Sequence, residues 1–299
     1  MSNTCANCGK QGFKRCSICK RAWYCGADCQ KAAWKGHKKT CAPPLSLAEC
    51  ESAVTAMGDA YVANDWLGVL KWEGRLEDLL AMPTFDPWKL LAIFARAHIA
   101  SMEATGCRDN VEHVVRLEQR RIALLGTLER FRDQGEAMVD LSQFMVKNHR
   151  ETEAGEYLLR ARKVAESHGF FSVESIACTF LGHMAIKEGR HAEGLDLLRN
   201  AVAAAPFNEQ NDPNFAVSAL DELVGALFDT GATIDSPTSW IEEVEDLMPK
   251  YREAAKAEAQ VKGFTYGSLA VYSTSARLCE VLSWTQNREP YPPTPDPQP

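Results

Sequence analysis

The first 41 residues hold eight cysteine and histidine side chains in four closely spaced pairs, which restricts the possible fold more than any other feature. The pairs are Cys5-x2-Cys8, Cys16-x2-Cys19, Cys25-x3-Cys29 and His37-x3-Cys41. A C-x2-C turn brings two thiolates within about 2.3 Å of one ion, and residues four apart share one face of a helix. Eight such ligands complete two tetrahedral shells, so we predict two zinc ions per chain.

The zinc is expected to be structural. A segment of about forty residues has too little apolar core to fold alone, and structural zinc contributes about 10–16 kcal/mol of apparent folding free energy in small fingers. A catalytic zinc needs an open coordination position, whereas here protein ligands fill every position. The alternative to zinc binding is that these cysteines are redox-active thiols. The regular spacing of the four pairs makes that alternative less favoured.

The compartment is predicted from the cysteines and the first residues. Seven of the 11 cysteines lie within the first 41 residues, which is not how a disulfide framework would be distributed. The opening residues, MSNTCANCGK, lack the basic and apolar regions of a secretory signal, and no long apolar run predicts a membrane span. We therefore expect a reducing location, cytoplasmic or nuclear, and no membrane.

Positions 5–41 resemble a MYND-type zinc finger. The resemblance rests on the spacing of all eight ligands, on Tyr24 before Cys25, and on the string CQKAAWKGHKKTC at 29–41. It implies interleaved ligation by two sets of four residues. Spacing alone leaves open two ions bound in series. The implied sets are Cys5, Cys8, Cys25 and Cys29 on one zinc, and Cys16, Cys19, His37 and Cys41 on the other.

The resemblance also implies a protein-interaction module that takes up short proline-rich peptides through Gln30 and Trp34. These two residues lie four apart and so share one helix face. An indole ring suits an extended proline-rich ligand, and an amide can bond its backbone. The alternative for Trp34 is packing in the small core between the zinc sites. Trp23 and Tyr24 are expected to be strand and core residues.

Charge is distributed unevenly between the cysteine-rich head and the rest of the chain. Residues 1–41 carry nine Lys or Arg and one acid, whereas the other residues carry 24 basic and 39 acidic side chains. This contrast indicates two different binding surfaces. Nucleic acid is the less favoured partner of the head, because metal-bound thiolates cancel part of the positive charge and no base-reading helix is evident.

Helical patterning begins after residues 42–45 and continues almost to residue 285. The clearest unit runs from Leu181 to Pro206 and resembles a tetratricopeptide repeat (TPR), in which small residues such as Gly182 and Gly194 let paired helices cross closely. Leu141 to Ala161 follow the same template. The remaining predicted helices are 47–63 with 66–82, 87–105 with 109–128, 213–230 with 237–258, and a capping helix over 265–285. We predict an all-α helical-hairpin repeat (TPR-like) solenoid, with an irregular bundle as the alternative.

Enzymatic activity is not expected. Some proteins join a MYND finger to a lysine-methylating SET domain, but the cofactor segments of that domain have no counterpart here, and no GxGxxG, P-loop or G-x-S-x-G motif occurs. Isolated histidines such as His98 and His113 have no suitably spaced Asp or Cys partner and are expected to pack or lie at the surface. The isolated cysteines are expected in the core: Cys50, Cys107, Cys178 and Cys279.

The sequence thus predicts a zinc finger over 1–43, a TPR-like helical domain over 46–285 and a disordered proline-rich tail over 286–299, which could also dock on the finger. The expected function is that of an adaptor, which binds proline-rich segments through the finger and a second protein through the helical body. The alternatives are an enzyme, methyltransferase-related or other, with a site in the helical cleft, and a nucleic-acid-associated regulator.

Overall fold

The computed structural model describes residues 4–39 and 41–205, together with 219, 220, 222–227, 230, 243, 246, 247 and 249. Most of the predicted helix pair 213–230 with 237–258, the capping helix 265–285 and the tail 286–299 lie outside the described residues. Contacts divide the chain into two compact units, Met1–Leu124 and Leu125–Pro299. None of the described helices combines the length and apolar character needed to cross a membrane.

The finger consists of two short strands and one helix. Strands β1 (Lys14–Arg15) and β2 (Trp23–Tyr24) pair antiparallel, and helix α1 (Ala27–His37) follows. These elements are short because the chain returns repeatedly to the ligand residues, so little length remains for regular structure.

The two C-x2-C turns of the finger have the same backbone geometry. The backbone N–H of Gly9 donates to the Cys5 carbonyl at 3.0 Å, and that of Lys20 donates to the Cys16 carbonyl at 3.1 Å. Gly9 (φ 71°) and Lys20 (φ 55°) both adopt the left-handed conformation that closes such a turn. The turns present paired thiols as the sequence spacing predicts.

The first unit continues with five helices of very different lengths. Its helices are α2 (Leu47–Val62), α3 (Trp66–Leu70), α4 (Leu76–Leu80), α5 (Pro87–Thr105) and α6 (Val111–Thr127), the last of which extends just past the unit's end. The predicted helices 47–63, 87–105 and 109–128 are confirmed to within two residues. The single helix predicted over 66–82 is wrong, because a 3-10 turn (Glu73–Arg75) separates α3 from α4. Gly74 lies in this turn, and glycine costs about 1 kcal/mol relative to alanine inside a helix.

Two arginines attach the end of the finger to the first helices of the body. Arg75 Nη2 donates to the Pro43 carbonyl at 2.6 Å, and Arg21 Nη2 donates to the Ala42 carbonyl at 3.2 Å. Both guanidinium groups also face the buried Asp78 carboxylate, at 3.0 Å from Arg75 and 3.8 Å from Arg21. The finger therefore rests on the body through polar contacts within the first unit.

The second unit is a stack of helical hairpins, as predicted. Its described helices are α7 (Phe131–Lys147), α8 (Glu151–His168), α9 (Phe171–Lys187) and α10 (His191–Ala204). Each of these helices packs on the next, and α7 also contacts α9. Left-handed residues His149, Gly169 and Gly189 lie in the turns between them. This arrangement confirms the TPR-like solenoid over the irregular bundle.

The small residues predicted to allow close helix crossing are found where α9 meets α10. A Cβ atom added to Gly182 would lie 2.8 Å from Leu198 Cγ and 3.0 Å from the Gly194 carbonyl oxygen. One added to Gly194 would lie 2.8 Å from the Gly182 carbonyl oxygen. The two backbones thus leave no room for a side chain at either position.

The isolated cysteines of the body differ in exposure. Cys50 and Cys178 are buried, which confirms the prediction for these two residues. The prediction is wrong for Cys107, which is exposed because it follows the left-handed Gly106 in the loop after α5. Cys279 lies outside the described residues.

Candidate functional site

Four cysteine thiols converge on one side of the finger. The Sγ atoms of Cys5, Cys8, Cys25 and Cys29 lie within 4.8 Å of one another. Cys8 and Cys25 are 3.6 Å apart, and Cys25 and Cys29 are 3.3 Å apart. Sulfurs that bind zinc at about 2.3 Å in a tetrahedron are about 3.8 Å apart, so this thiol set needs only a slight expansion to hold the ion.

Three thiols and one imidazole converge in the same way on the other side. The ligand atoms of Cys16, Cys19, His37 and Cys41 also lie within 4.8 Å of one another. Cys16 and Cys41 Sγ are 3.6 Å apart, and Cys19 Sγ lies 3.5 Å from His37 Nε2. The structure therefore groups the first pair with the third and the second with the fourth, which is the interleaved arrangement.

Electrostatics in the four-cysteine cluster favour a bound cation. Burial raises the pKa of the Cys5 thiol, but hydrogen bonds, chiefly from the backbone of Asn7 and Cys25, outweigh it and lower that pKa to about 6. The thiols of Cys29 and Cys8 raise the pKa of Cys25 to about 12. Thiols this close cannot all ionise unless a cation compensates their charge. The two clusters accordingly fit two structural zinc ions.

The clusters meet in a very small core. Cys5, Cys16, Cys19 and Tyr24 are its buried members, and Tyr24 has no exposed surface, in agreement with its predicted core position. Three of these four residues belong to the two ligand clusters. Bound zinc would therefore supply most of the stability of the finger.

Gln30 and Trp34 lie beside the second cluster, on one wall of an open groove of about 340 Å³. They are four residues apart on α1 and share one face, as predicted from their spacing. The C-x2-C turn that contains Ser17 and Ile18 also lines this groove. Trp34 is 38% exposed as a residue, and its ring packs edge-on against the His37 ring, with centroids 5.8 Å apart. Its indole thus borders the groove and is not enclosed in the core.

A third group of ligand-type side chains lies outside the finger. Glu73 Oε1 is 2.8 Å from His98 Nε2 and 2.5 Å from His113 Nε2, and the two imidazole centroids are 4.8 Å apart. Burial raises the pKa of Glu73, but the hydrogen bonds and charges of the two histidines outweigh it and lower that pKa. The carboxylate is therefore ionised at neutral pH.

Sequence reasoning missed this group. The α5–α6 hairpin predicted by apolar periodicity brings His98 near His113, but Glu73 joins them only because the 3-10 turn interrupts a pattern that predicts a continuous helix. The usable signal was Gly74, which marks a break in that pattern.

Comparison with known proteins shows which family of zinc fingers the N-terminal residues match. Residues 5–41 match the MYND finger family. The chain is 49% identical over 37 residues to Tudor domain-containing protein 1 of Oryzias latipes, and 41% identical over 49 residues to the N-lysine methyltransferase SMYD2 of Homo sapiens. These matches cover 12% and 16% of this chain but only 3% and 11% of the two relatives. The similarity is confined to the finger.

The helical part has a structural relative with a different sequence. The crystal structure of BtubC (BKLC) from P. vanneervenii superposes with a TM-score of 0.51 over 79% of this chain and 87% of that chain, at 10% identity. At this low sequence identity, the similarity supports a shared fold and nothing about function. The protein is thus a MYND zinc finger followed by a TPR-like helical repeat body.

Proposed function

We propose that this chain is a non-enzymatic adaptor that binds a proline-rich segment in the groove of its finger and a second protein on its helical body. The observation that carries the proposal is the position of Trp34, an exposed indole on the wall of an open groove. The groove has the features that such a ligand needs.

The groove combines an apolar platform with polar groups. Trp34 and Ile18 both line the groove and supply exposed apolar surface, while Gln30 and Lys31 supply hydrogen-bond donors along α1. A proline-rich segment adopts an extended helix with no internal hydrogen bonds, so its carbonyl groups remain available to these donors. Its stiffness also reduces the entropy lost on binding.

The second partner is assigned to the hairpin stack of the second unit. Solenoids of helical hairpins bind partners along a continuous face lined by equivalent helices of successive repeats. Here α7 and α9 are equivalent, and they lie side by side, since a Cβ atom at Gly135 would approach Val173 Cγ1 to 2.9 Å. A surface of this kind suits a second protein better than a small substrate.

Two features of the finger support protein binding over the alternatives. Each cluster offers four protein ligands, so a zinc ion bound there has no open position for catalysis. Some of the positive charge of the head is also engaged internally. Arg21 pairs with Asp78, and the Arg15 guanidinium lies 4.4 Å from the Trp23 ring centroid. The methyltransferase relative matches only in the finger and gives no support for that activity in this chain.

Binding of fluorescein-labelled proline-rich peptides to the full zinc-loaded chain tests the proposal. We expect Trp34→Ala to weaken binding at least about tenfold, about 1.4 kcal/mol, because aromatic anchors dominate such interfaces. Gln30→Ala should weaken it less. The matched control is Phe13→Ala, which removes a more exposed aromatic ring, 69% exposed against 38% for Trp34, that is not among the residues lining the groove.

Three outcomes would contradict the assigned groove. One is equal binding by wild type and Trp34→Ala. Another is equal loss in Phe13→Ala, and a third is binding that persists when every proline of the peptide is replaced by alanine. Binding to nucleic acid that collapses steeply with salt would instead favour the nucleic-acid alternative.

A further inference from the structure

We propose that Glu73, His98 and His113 form a third metal site, distinct from the finger, which binds a divalent transition-metal ion of the zinc class. The three residues come from three different elements: the 3-10 turn Glu73–Arg75, helix α5 and the first turn of helix α6. Their ligand atoms nevertheless lie within 4.8 Å of one another.

The donor set is one that zinc uses. Imidazole nitrogen and carboxylate oxygen bind zinc at about 2.0–2.2 Å, so neighbouring donors around a tetrahedral ion are about 3.4 Å apart. Here both Nε2 atoms contact the same oxygen, Glu73 Oε1, at 2.8 Å and 2.5 Å. Side-chain movements of less than about 1 Å would admit the ion between them. Zn²⁺ has no electronic preference for a single geometry and tolerates such adjustment.

The burial of the three side chains fits an accessible site with one closed wall. The His98 side chain is only 7% exposed, whereas those of Glu73 and His113 are 29% and 34% exposed. An ion can therefore enter from the Glu73 and His113 side, and water can take the fourth position there. Three protein ligands with one open vertex form a familiar zinc arrangement, unlike the closed shells of the finger.

A bound ion would also reinforce the attachment of the finger. It would fix the 3-10 turn to α5 and α6, and the same turn contains Arg75, whose guanidinium donates to the Pro43 carbonyl at 2.6 Å. The site thus lies two residues along the chain from a contact that holds the end of the finger.

Titration of the full chain with Co²⁺, with zinc in the finger and any affinity tag removed, tests the site. We expect one further Co²⁺ per chain, with visible d–d absorption but without the intense thiolate charge-transfer bands of cobalt bound to cysteine. Glu73→Gln and His113→Gln should weaken this uptake at least about tenfold, since loss of even an outer partner of a metal ligand costs about 10–100-fold. Glutamine keeps a hydrogen-bonding side chain of similar reach, so the turn should stay in place.

The matched control is His183→Gln. His183 Nε2 also pairs with one carboxylate, Glu222 Oε2 at 2.9 Å, but belongs to no group of three ligands within the described residues, so this variant should bind cobalt like wild type. Absence of the further cobalt in wild type would overturn the site, and this measurement needs no variant to fold. Thiolate bands, or equal uptake by His113→Gln, would overturn it as well.

Discussion

At the scale of single residues, Ser46 shows how one side chain fixes where the body begins. Its hydroxyl accepts a hydrogen bond from the Glu49 backbone N–H at 3.4 Å, and its own N–H donates to Glu49 Oε2 at 2.8 Å. This reciprocal capping box satisfies two backbone donors at the start of α2. Ser46 lies three residues after Pro43, whose carbonyl accepts a hydrogen bond from Arg75.

Ser46→Ala is expected to destabilise α2 by about 1 kcal/mol, the usual cost of losing such a cap. Hydrogen exchange of the α2 amides in the full chain measures it. The matched control is Ser52→Ala in the same helix, an exposed position with no capping role, where alanine should be neutral or slightly stabilising. Equal losses in both variants would show that the cap contributes nothing.

The same cap predicts a dependence on pH. Hydrogen bonds from the Ser46 hydroxyl and backbone N–H lower the pKa of Glu49. A group whose pKa is lowered by folding stabilises the folded state above its unfolded value, about 4.3 for Glu, and this contribution is lost as the pH falls through the folded pKa. The difference between wild type and Ser46→Ala should therefore be larger at neutral pH than at about pH 3. A difference independent of pH would contradict this account.

At the scale of helices, the contact between α9 and α10 depends on two glycines that face each other. Alanine usually stabilises a helix relative to glycine by about 1 kcal/mol. At Gly194 its methyl group would lie 2.5 Å from Ile186 Cγ1 and 2.8 Å from the Gly182 carbonyl oxygen. The Gly182 carbonyl oxygen cannot move away from the methyl group unless the two helices separate. The steric cost is therefore expected to outweigh the gain in helix propensity, so that the substitution destabilises the protein.

Gly194→Ala is expected to destabilise the second unit by about 1–3 kcal/mol, the usual cost of overpacking. The control is Gly155→Ala in α8, where the added methyl group would meet only the flexible end of Met184 at 3.4 Å, and a gain of up to about 1 kcal/mol is expected. Urea unfolding of both variants separates the two effects. A stable Gly194→Ala variant would mean that the helices do not cross this closely.

The α9–α10 contact also shows what sequence alone can predict. The apolar periodicity and the spacing of Gly182 and Gly194 predict the hairpins because both are local properties of a helix. The break at Glu73–Arg75 was not predicted, since several apolar residues continue the helical period through it. Glu73 therefore could not be placed beside His98 and His113, as that contact joins positions 25 and 40 residues apart. The exposure of Cys107 was missed for a similar reason, because loop geometry decides it.

At the scale of the whole molecule, the two ends of the described chain are stabilised in different ways. In the finger, the buried core consists of three cysteines of the ligand clusters and one large side chain, that of Tyr24. The hairpins α7–α10 instead bury many apolar side chains, among them Leu141, Met145, Leu158 and Leu198. One end depends on metal, whereas the other depends on packing.

Removal of zinc from the full chain is therefore expected to unfold residues 5–41 while α7–α10 remain helical. The finger would lose an apparent folding contribution of about 10–16 kcal/mol, which its small core cannot replace. Hydrogen exchange with mass spectrometry should show lost protection in α1 and unchanged protection over 131–204. Cys25→Ser should reproduce part of this loss without chelator, because it removes a ligand of one cluster.

Cys107→Ser is the matched control for that variant, since Cys107 is exposed and belongs to neither cluster. It should keep both finger zincs and full protection of α1. If a metal-free finger stayed protected, the small core around Tyr24 would be sufficient to keep it folded, and the ions would not be needed to stabilise the groove that Trp34 lines. If 131–204 lost protection as well, the hairpins would depend on the finger for stability, although contacts assign them to a different unit. Loss confined to the finger would instead mean that zinc stabilises the groove that Trp34 lines and is not needed for the fold of the hairpins α7–α10.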